Sequence, residues 1–140
     1  MLPYKHFLIA GVVTAGAGIV LPPEKSVIEI IKWVLAGGIL SSAVDLDVLV
    51  IVLLKSQREV RLRPFRSVFE MHRKYMLFMD TIFETGALRI AMKTHFIISG
   101  LMILLSYFFL HAYFVPVVLG VASHIISDLP HLQRVIRKGS

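Results

Sequence analysis

The sequence contains no cysteine among its 140 residues. This absence excludes a disulfide framework, a thiolate zinc site, an iron–sulfur cluster and a cysteine nucleophile. Charged residues are also scarce, at 17%, and long stretches of the chain carry almost none. Hydrophobic residues reach 56%, which exceeds the usual share in soluble domains. These features predict an all-α integral membrane protein, with residues 1–140 forming a single helical membrane domain.

Apolar segments separated by prolines and charged residues predict about four transmembrane helices. Their expected ranges are 6–21, 27–46, 95–114 and 115–130, with Pro130 stopping the last one. The first segment is short for a hydrocarbon core that needs ~20 helical residues. Its small residues Ala10, Thr14 and Gly18 recur every four positions, which favours close helix packing. The second should end near Asp45, because carboxylates are costly in the middle of a bilayer.

Basic residues alternate with aromatic residues and methionines between the second and third spans, over residues 55–93. Apolar residues at near-helical spacing over 68–83 predict a basic amphipathic helix that lies at the interface, with Gly86 ending it. Anionic lipid headgroups are the expected partner of this loop, and nucleic acid is not expected. The sequence leaves a homo- or hetero-oligomer open.

Loops rich in Lys and Arg face the cytoplasm in membrane proteins. The 55–93 loop and the tail with Arg134, Arg137 and Lys138 are both basic. The sequence therefore predicts a multi-pass protein of the cell membrane with both termini in the cytoplasm.

In this topology, each of the four helices sends imidazole or carboxylate groups toward the cytoplasmic side. The candidate metal ligands are His6, Asp45, Asp47, His95, His124 and Asp128. Histidine and carboxylate without cysteine suit zinc, manganese or iron, and we expect a divalent metal, zinc or manganese. Such an ion would offset the repulsion between carboxylates and lower the pKa of a bound water toward ~7.

Each of these residues also has a structural interpretation. His6 could anchor the first helix at the interface, Asp45 could simply end a helix, and His95 could be a solvated helix start. His124 and Asp128 lie four residues apart, so they share a helix face and could form a hydrogen-bonded pair inside the bundle.

The order of these residues resembles a known family. The closing motif runs Gly120-x-x-Ser123-His124-x-x-x-Asp128, and it follows an early His, an Asp-x-Asp and a Thr-His pair. This pattern is similar to the YdjM-like family of inner-membrane-associated metal-dependent hydrolases, also described as LexA-binding. The resemblance implies a small helical membrane protein with a metal held by the six candidate ligands.

The chain departs from the family pattern at two places. Val44 and Val48 stand where that family has the Pro and the last His of Pro-Asp-x-Asp-His, and Ile90-Ala91 stands where it has His-Arg. We therefore expect a divergent member.

Three functions remain open at this point. The first is metal-dependent hydrolysis at the cytoplasmic membrane surface, on a lipid or a phosphoester, with Arg89 or Lys93 steadying an anionic group. The second is a non-catalytic membrane scaffold or complex subunit that binds anionic lipid or a protein partner. The third, a proton-relay or transport component, is less favoured because no inverted repeat is evident.

Overall fold

The computed structural model describes residues 3–21 and 23–138, with side chains described as far as Pro130 and again at Gln133. Helices make up this part of the chain, and it contains no strand, which confirms the predicted all-α class. In chain order they are α1 (Pro3–Val20), α2 (Val27–Val44), α3 (Leu46–Lys55), a 3₁₀ segment (Val60–Arg66), α4 (Val68–Arg73), α5 (Tyr75–Glu84), α6 (Ala87–Phe109), a 3₁₀ turn (His111–Tyr113) and α7 (Phe114–Lys138).

Four helical stretches are long and apolar enough to cross a membrane, as predicted for a multi-pass protein. They are Pro3–Val20, Val27–Lys55, Ala87–Phe109 and His111–Pro130. The second stretch includes both α2 and α3, and Asp45 separates these two helices. Helix α2 therefore ends next to Asp45, as expected, but the apolar stretch continues past the predicted end at residue 46 to Lys55.

Local sequence signals explain where α2 begins. The backbone N–H of Ser26 donates to the Glu29 carboxylate at 2.8 Å, and the Glu29 N–H donates back to the Ser26 hydroxyl at 3.3 Å. This reciprocal pair is a capping box, which satisfies N–H groups that a helix start leaves free. α1 ends at Val20 ahead of the Pro22-Pro23 pair, of which Pro22 lies outside the described residues.

The predicted start of the third span at His95 is wrong, because α6 already begins at Ala87. Arg89 and Lys93 suggested a loop, but both side chains lie on the exposed side of the helix. Ala87, Ala91 and Met92 lie on its other side and are buried. A helix can carry charge on one face and core residues on the other, so the charges did not mark a helix end.

The single amphipathic helix predicted over 68–83 is also wrong. The backbone leaves helical geometry at Lys74, where φ is −115° and ψ is 42°, and this residue separates α4 from α5. Neither proline nor glycine marks the break, so the apolar spacing could not reveal it. Gly86 does end the segment as predicted, with a φ of 69° that glycine adopts without strain.

The last apolar stretch does end at Pro130, but the expectation that this proline stops the helix is wrong. α7 continues through Pro130 to Lys138. Proline removes one backbone hydrogen bond from a helix, but the Leu, Gln, Arg and Lys residues that follow have good helix propensity and can sustain it. The side chains of His131, Arg134, Arg137 and Lys138, on which the predicted basic tail rests, lie outside the described residues.

The chain forms two compact units. The first comprises residues 1–44 and 98–130, and the second comprises residues 45–97 and 131–140. In the first unit, one face of α1 is buried at every fourth position: His6, Ala10, Thr14 and Gly18. This confirms the small-residue stripe and shows that His6 heads it.

Three helices of the first unit approach one another through glycines. A Cβ atom on Gly37 would lie 2.5 Å from Thr14 Cγ2, which brings α2 close to α1. A Cβ atom on Gly120 would lie 2.5 Å from the backbone oxygen of Gly37, which brings α7 close to α2. Side chains larger than hydrogen would separate these backbones, so the glycines fix the spacing of α1, α2 and α7.

The second unit has its own hydrophobic core, built from α3, the 3₁₀ segment and the helices from α4 to the start of α6. Its buried members are Ile51, Val52, Leu62, Phe65, Met71, Phe78, Met79, Ile82, Ala87, Leu88, Ala91 and Met92. Two cations brace it: Lys55 donates to the Thr85 carbonyl at 2.6 Å, and Arg66 donates to the Ser56 hydroxyl at 2.7 Å. Part of the basic sequence thus stabilises helix ends within the fold.

We predict that Gly120→Ala destabilises the first unit. The atoms nearest to the new methyl group belong to the Gly37 backbone, which cannot rotate away, so overpacking should cost about 1–3 kcal/mol. Denaturant unfolding in detergent, followed by circular dichroism, measures this. The matched control is Gly16→Ala, whose methyl group would meet no atom within 4 Å. Equal stability of the two variants would contradict the close packing.

Candidate metal site

Two helices of the first unit bring together His6, His124 and Asp128. His6 belongs to the buried face of α1, and the other two share the buried face of α7 because they are four residues apart. Their exposed fractions are 0% for His6, 1% for His124 and 5% for Asp128. Groups of this kind are costly to bury without partners, so their convergence marks a candidate functional site.

The Asp128 carboxylate faces both imidazole rings. Its Oδ1 atom lies 3.5 Å from His6 Nε2, and its Oδ2 atom lies 3.5 Å from His124 Nε2. The two rings lie against each other with centroids 4.0 Å apart and an interplanar angle of 34°. Two nitrogens and a carboxylate thus surround one small volume.

The spacing of these atoms suits a shared cation better than direct hydrogen bonds. A good N–H···O bond places its heavy atoms 2.7–3.2 Å apart, which is shorter than both contacts to Asp128. Ligands bound tetrahedrally to zinc at ~2.0–2.2 Å lie roughly 3.4 Å from one another. One ligand atom from each of His6, His124 and Asp128 can be chosen so that all lie within 4.8 Å of one another. This cluster could therefore hold a metal ion.

Ser127 is a neighbour of the cluster that the sequence reasoning missed. Its hydroxyl oxygen lies 2.8 Å from His6 Nδ1 and also 2.8 Å from the backbone oxygen of His124. The signal in the sequence was its position three residues after His124 and next to Asp128, which keeps it near the same helix face.

The second unit brings together the other three predicted ligands, Asp45, Asp47 and His95. His95 Nε2 lies 3.4 Å from Asp45 Oδ1, and His95 Nδ1 lies 2.7 Å from Asp47 Oδ2. Each ring nitrogen therefore faces a different carboxylate. The ring occupies the space between the acids, which suits a hydrogen-bonded chain from carboxylate to imidazole to carboxylate.

The Thr94 hydroxyl completes this second cluster by donating to Asp47 Oδ2. The sequence places Thr94 directly before His95, but this spacing does not predict a contact between the Thr94 hydroxyl and a carboxylate. The other oxygen of Asp47, Oδ1, is buried and has no hydrogen-bond partner among the described residues. The charge of Asp47 is therefore compensated at Oδ2, by the contacts from Thr94 and His95.

Arg89 and Lys93, the candidates for steadying an anion, lie elsewhere on α6. Both are exposed, and neither forms an ion pair within the described part of the chain. His95 lies on the buried face of the same helix. The structure therefore does not bring these two cations to the carboxylates that contact His95.

Comparisons of the chain with protein-family models, curated proteins and solved structures find no match. The assignment of a site therefore rests on the geometry of these residues.

We predict that His95→Ala destabilises the second unit by about 3 kcal/mol or more, because it leaves two buried carboxylates without the ring between them. Thermal unfolding in detergent measures the loss. Lys93→Ala is the control on the same helix, and an exposed side chain without an ion pair should change stability by no more than about 0.5 kcal/mol. If the two variants unfold alike, the interpretation of His95 as the link between the acids fails.

Proposed function

We propose that this chain is a multi-pass membrane protein that binds a divalent cation through His6, His124 and Asp128 and acts as a metal-dependent hydrolase. The observation that carries the proposal is the convergence of two imidazoles and one carboxylate, nearly fully buried, at 3.5 Å separations. Three protein ligands are the usual complement of a catalytic zinc site, which keeps a further position open. The resemblance to YdjM-like hydrolases supports the same assignment.

The residues of the cluster have distinct tasks in this proposal. The Asp128 carboxylate faces the Nε2 atom of each imidazole ring. The tilted stacking of the two rings keeps both Nε2 atoms directed toward that carboxylate. A divalent ion, zinc or manganese, would supply Lewis-acid chemistry here, suited to a lipid ester or phosphoester. Burial of the ligands keeps bulk water away and strengthens each electrostatic interaction.

Orientation in the membrane follows from the positive-inside rule. Exposed Arg and Lys residues are concentrated in the second unit, between the second and third apolar stretches. We infer that this segment lies in the cytoplasm, together with both termini, and that hydrolysis takes place at the cytoplasmic face of the cell membrane.

We predict that purified protein carries about one equivalent of zinc or manganese and that His124→Ala and Asp128→Asn lose it. Removal of one of three ligands should abolish stoichiometric binding. Elemental analysis by mass spectrometry measures the metal, and gel filtration in detergent shows whether each variant remains folded. His111→Ala is the control, since His111 is exposed and lies at the start of the last apolar stretch. Folded protein without metal would overturn the assignment.

Turnover is tested separately from binding. Wild-type protein in bilayers should release phosphate from a phosphoester lipid, and Asp128→Asn and chelator-treated protein should not. Metal bound without turnover would mean that the ion is structural.

A second candidate function, a scaffold that binds anionic lipid, is supported by the surface of the second unit. Five large apolar side chains between residues 60 and 77 are 57% to 71% exposed. They are Val60, Val68, Phe69, Met76 and Leu77. Apolar residues of this segment thus divide between the core and the exposed surface, and large exposed apolar side chains need an apolar cover.

Basic residues in the same part of the sequence indicate what covers these side chains. Arg58 and Arg63 are exposed and form no ion pair in the described part of the chain. Arg61 is neutralised within the protein by Glu59 at 3.0 Å and Glu84 at 3.4 Å, and its hydrogen bond lowers the pKa of Glu59 below the usual range. Exposed apolar side chains and unneutralised guanidinium groups in one segment fit the boundary between acyl chains and anionic phospholipid headgroups.

We predict that Phe69→Trp reports insertion into anionic bilayers. The variant is built in a Trp33→Phe background, because Trp33 is the single tryptophan. Its fluorescence should be quenched by brominated phosphatidylglycerol. Quenching should weaken after Arg58→Gln and Arg63→Gln, because each basic side chain contributes about 1 kcal/mol to the free energy of binding to an anionic surface. Gln57→Trp, an exposed polar position, is the control. Equal quenching at positions 57 and 69 would contradict the lipid contact.

A further inference from the structure

The Ser127 hydroxyl has two neighbours at the same distance. The backbone oxygen of His124 lies 2.8 Å away, as expected for a serine that bonds to its own helix, and His6 Nδ1 also lies 2.8 Å away. A hydroxyl has one proton to donate but two lone pairs to accept with. The carbonyl oxygen can only accept. Both contacts are therefore hydrogen bonds only if Ser127 donates to His124 and accepts from His6.

This proton arrangement determines the tautomer of His6. If Nδ1 carries the proton that Ser127 accepts, the neutral ring has its lone pair on Nε2. Nε2 is the nitrogen that faces Asp128 Oδ1 at 3.5 Å. A lone pair and a carboxylate oxygen directed at each other repel, and a cation between them converts that repulsion into two favourable contacts.

We propose that Ser127 is a positioning residue that holds His6 in the Nδ1–H tautomer and so presents Nε2 to a cation. The inference deepens the proposed function and rests on it for the identity of the ligand. Metal-binding histidines generally donate their other ring N–H to a neighbouring acceptor, and removing that acceptor typically weakens metal affinity 10- to 100-fold. Without Ser127, the proton moves to Nε2, where Asp128 attracts it and where it blocks the cation.

The same helix provides a matched control. The Ser123 hydroxyl donates to the backbone oxygen of Gly120 at 2.8 Å, as Ser127 does to His124, and Ser123 forms no hydrogen bond to any histidine ring whose side chain the structure describes. Ser123→Ala therefore removes the same bond between side chain and helix while leaving His6 untouched. Ser127→Thr restores the hydroxyl that Ser127→Ala removes.

Two measurements test the inference. Zinc titration by calorimetry should show affinity about 10- to 100-fold weaker for Ser127→Ala, within about twofold of wild type for Ser123→Ala, and largely restored for Ser127→Thr. Long-range ¹H–¹⁵N NMR of the metal-free protein, with His6 assigned against His6→Gln, should show the Nδ1–H tautomer in wild type and the Nε2–H tautomer in Ser127→Ala.

The two measurements test different parts of the proposal. If wild type binds no zinc, the proposed metal site is wrong, and the NMR result still decides whether Ser127 selects the tautomer. An unchanged His6 tautomer in Ser127→Ala, or equal zinc affinity of Ser127→Ala and Ser123→Ala, would overturn the role of Ser127.

Discussion

The contact of one carboxylate, Asp128, with two imidazoles is the interaction on which the candidate site depends. Burying an ionised group is costly, and the cost is recovered only if other groups or a cation compensate its charge. Asp128 is 5% exposed and faces His6 and His124 at equal separations. Because one ring comes from α1 and the other from α7, the cluster also requires these helices to be held at a fixed spacing within the first unit.

Residues that are not candidate metal ligands produce that spacing. Gly37 and Gly120 bring backbones together at distances that no Cβ atom would permit, and Thr14 packs against Gly37. The buried face of α1 that begins with His6 continues through Ala10, Thr14 and Gly18. In lipid, where helices are not driven together by hydrophobic burial, close van der Waals contact of this kind supplies much of the association. The glycines thus set the helix spacing that brings the two imidazoles together.

Much of the fold could be predicted from the sequence, because apolar runs of membrane length and the prolines between them constrain a helical membrane protein strongly. The small-residue stripe and the role of Gly86 followed from spacing and backbone conformation. The start of α6 did not, because the charges of Arg89 and Lys93 suggest a loop although both residues lie on the exposed face of a helix. All six predicted ligands take part in imidazole–carboxylate clusters, but the contacts of the Ser127 and Thr94 hydroxyls with these clusters were not predicted. Hydroxyl contacts depend on rotamers and helix packing, which periodicity does not encode.

We propose that His6, His124 and Asp128 bind a divalent cation. An anomalous difference map, recorded at the zinc edge from crystals of protein purified with zinc, tests this most directly. We predict a single strong peak within ligand distance of His6 Nε2, His124 Nε2 and the Asp128 carboxylate. A map without a peak there, in crystals whose side chains keep the 3.5 Å separations seen here, would contradict it and leave the cluster as an imidazole–carboxylate contact between α1 and α7.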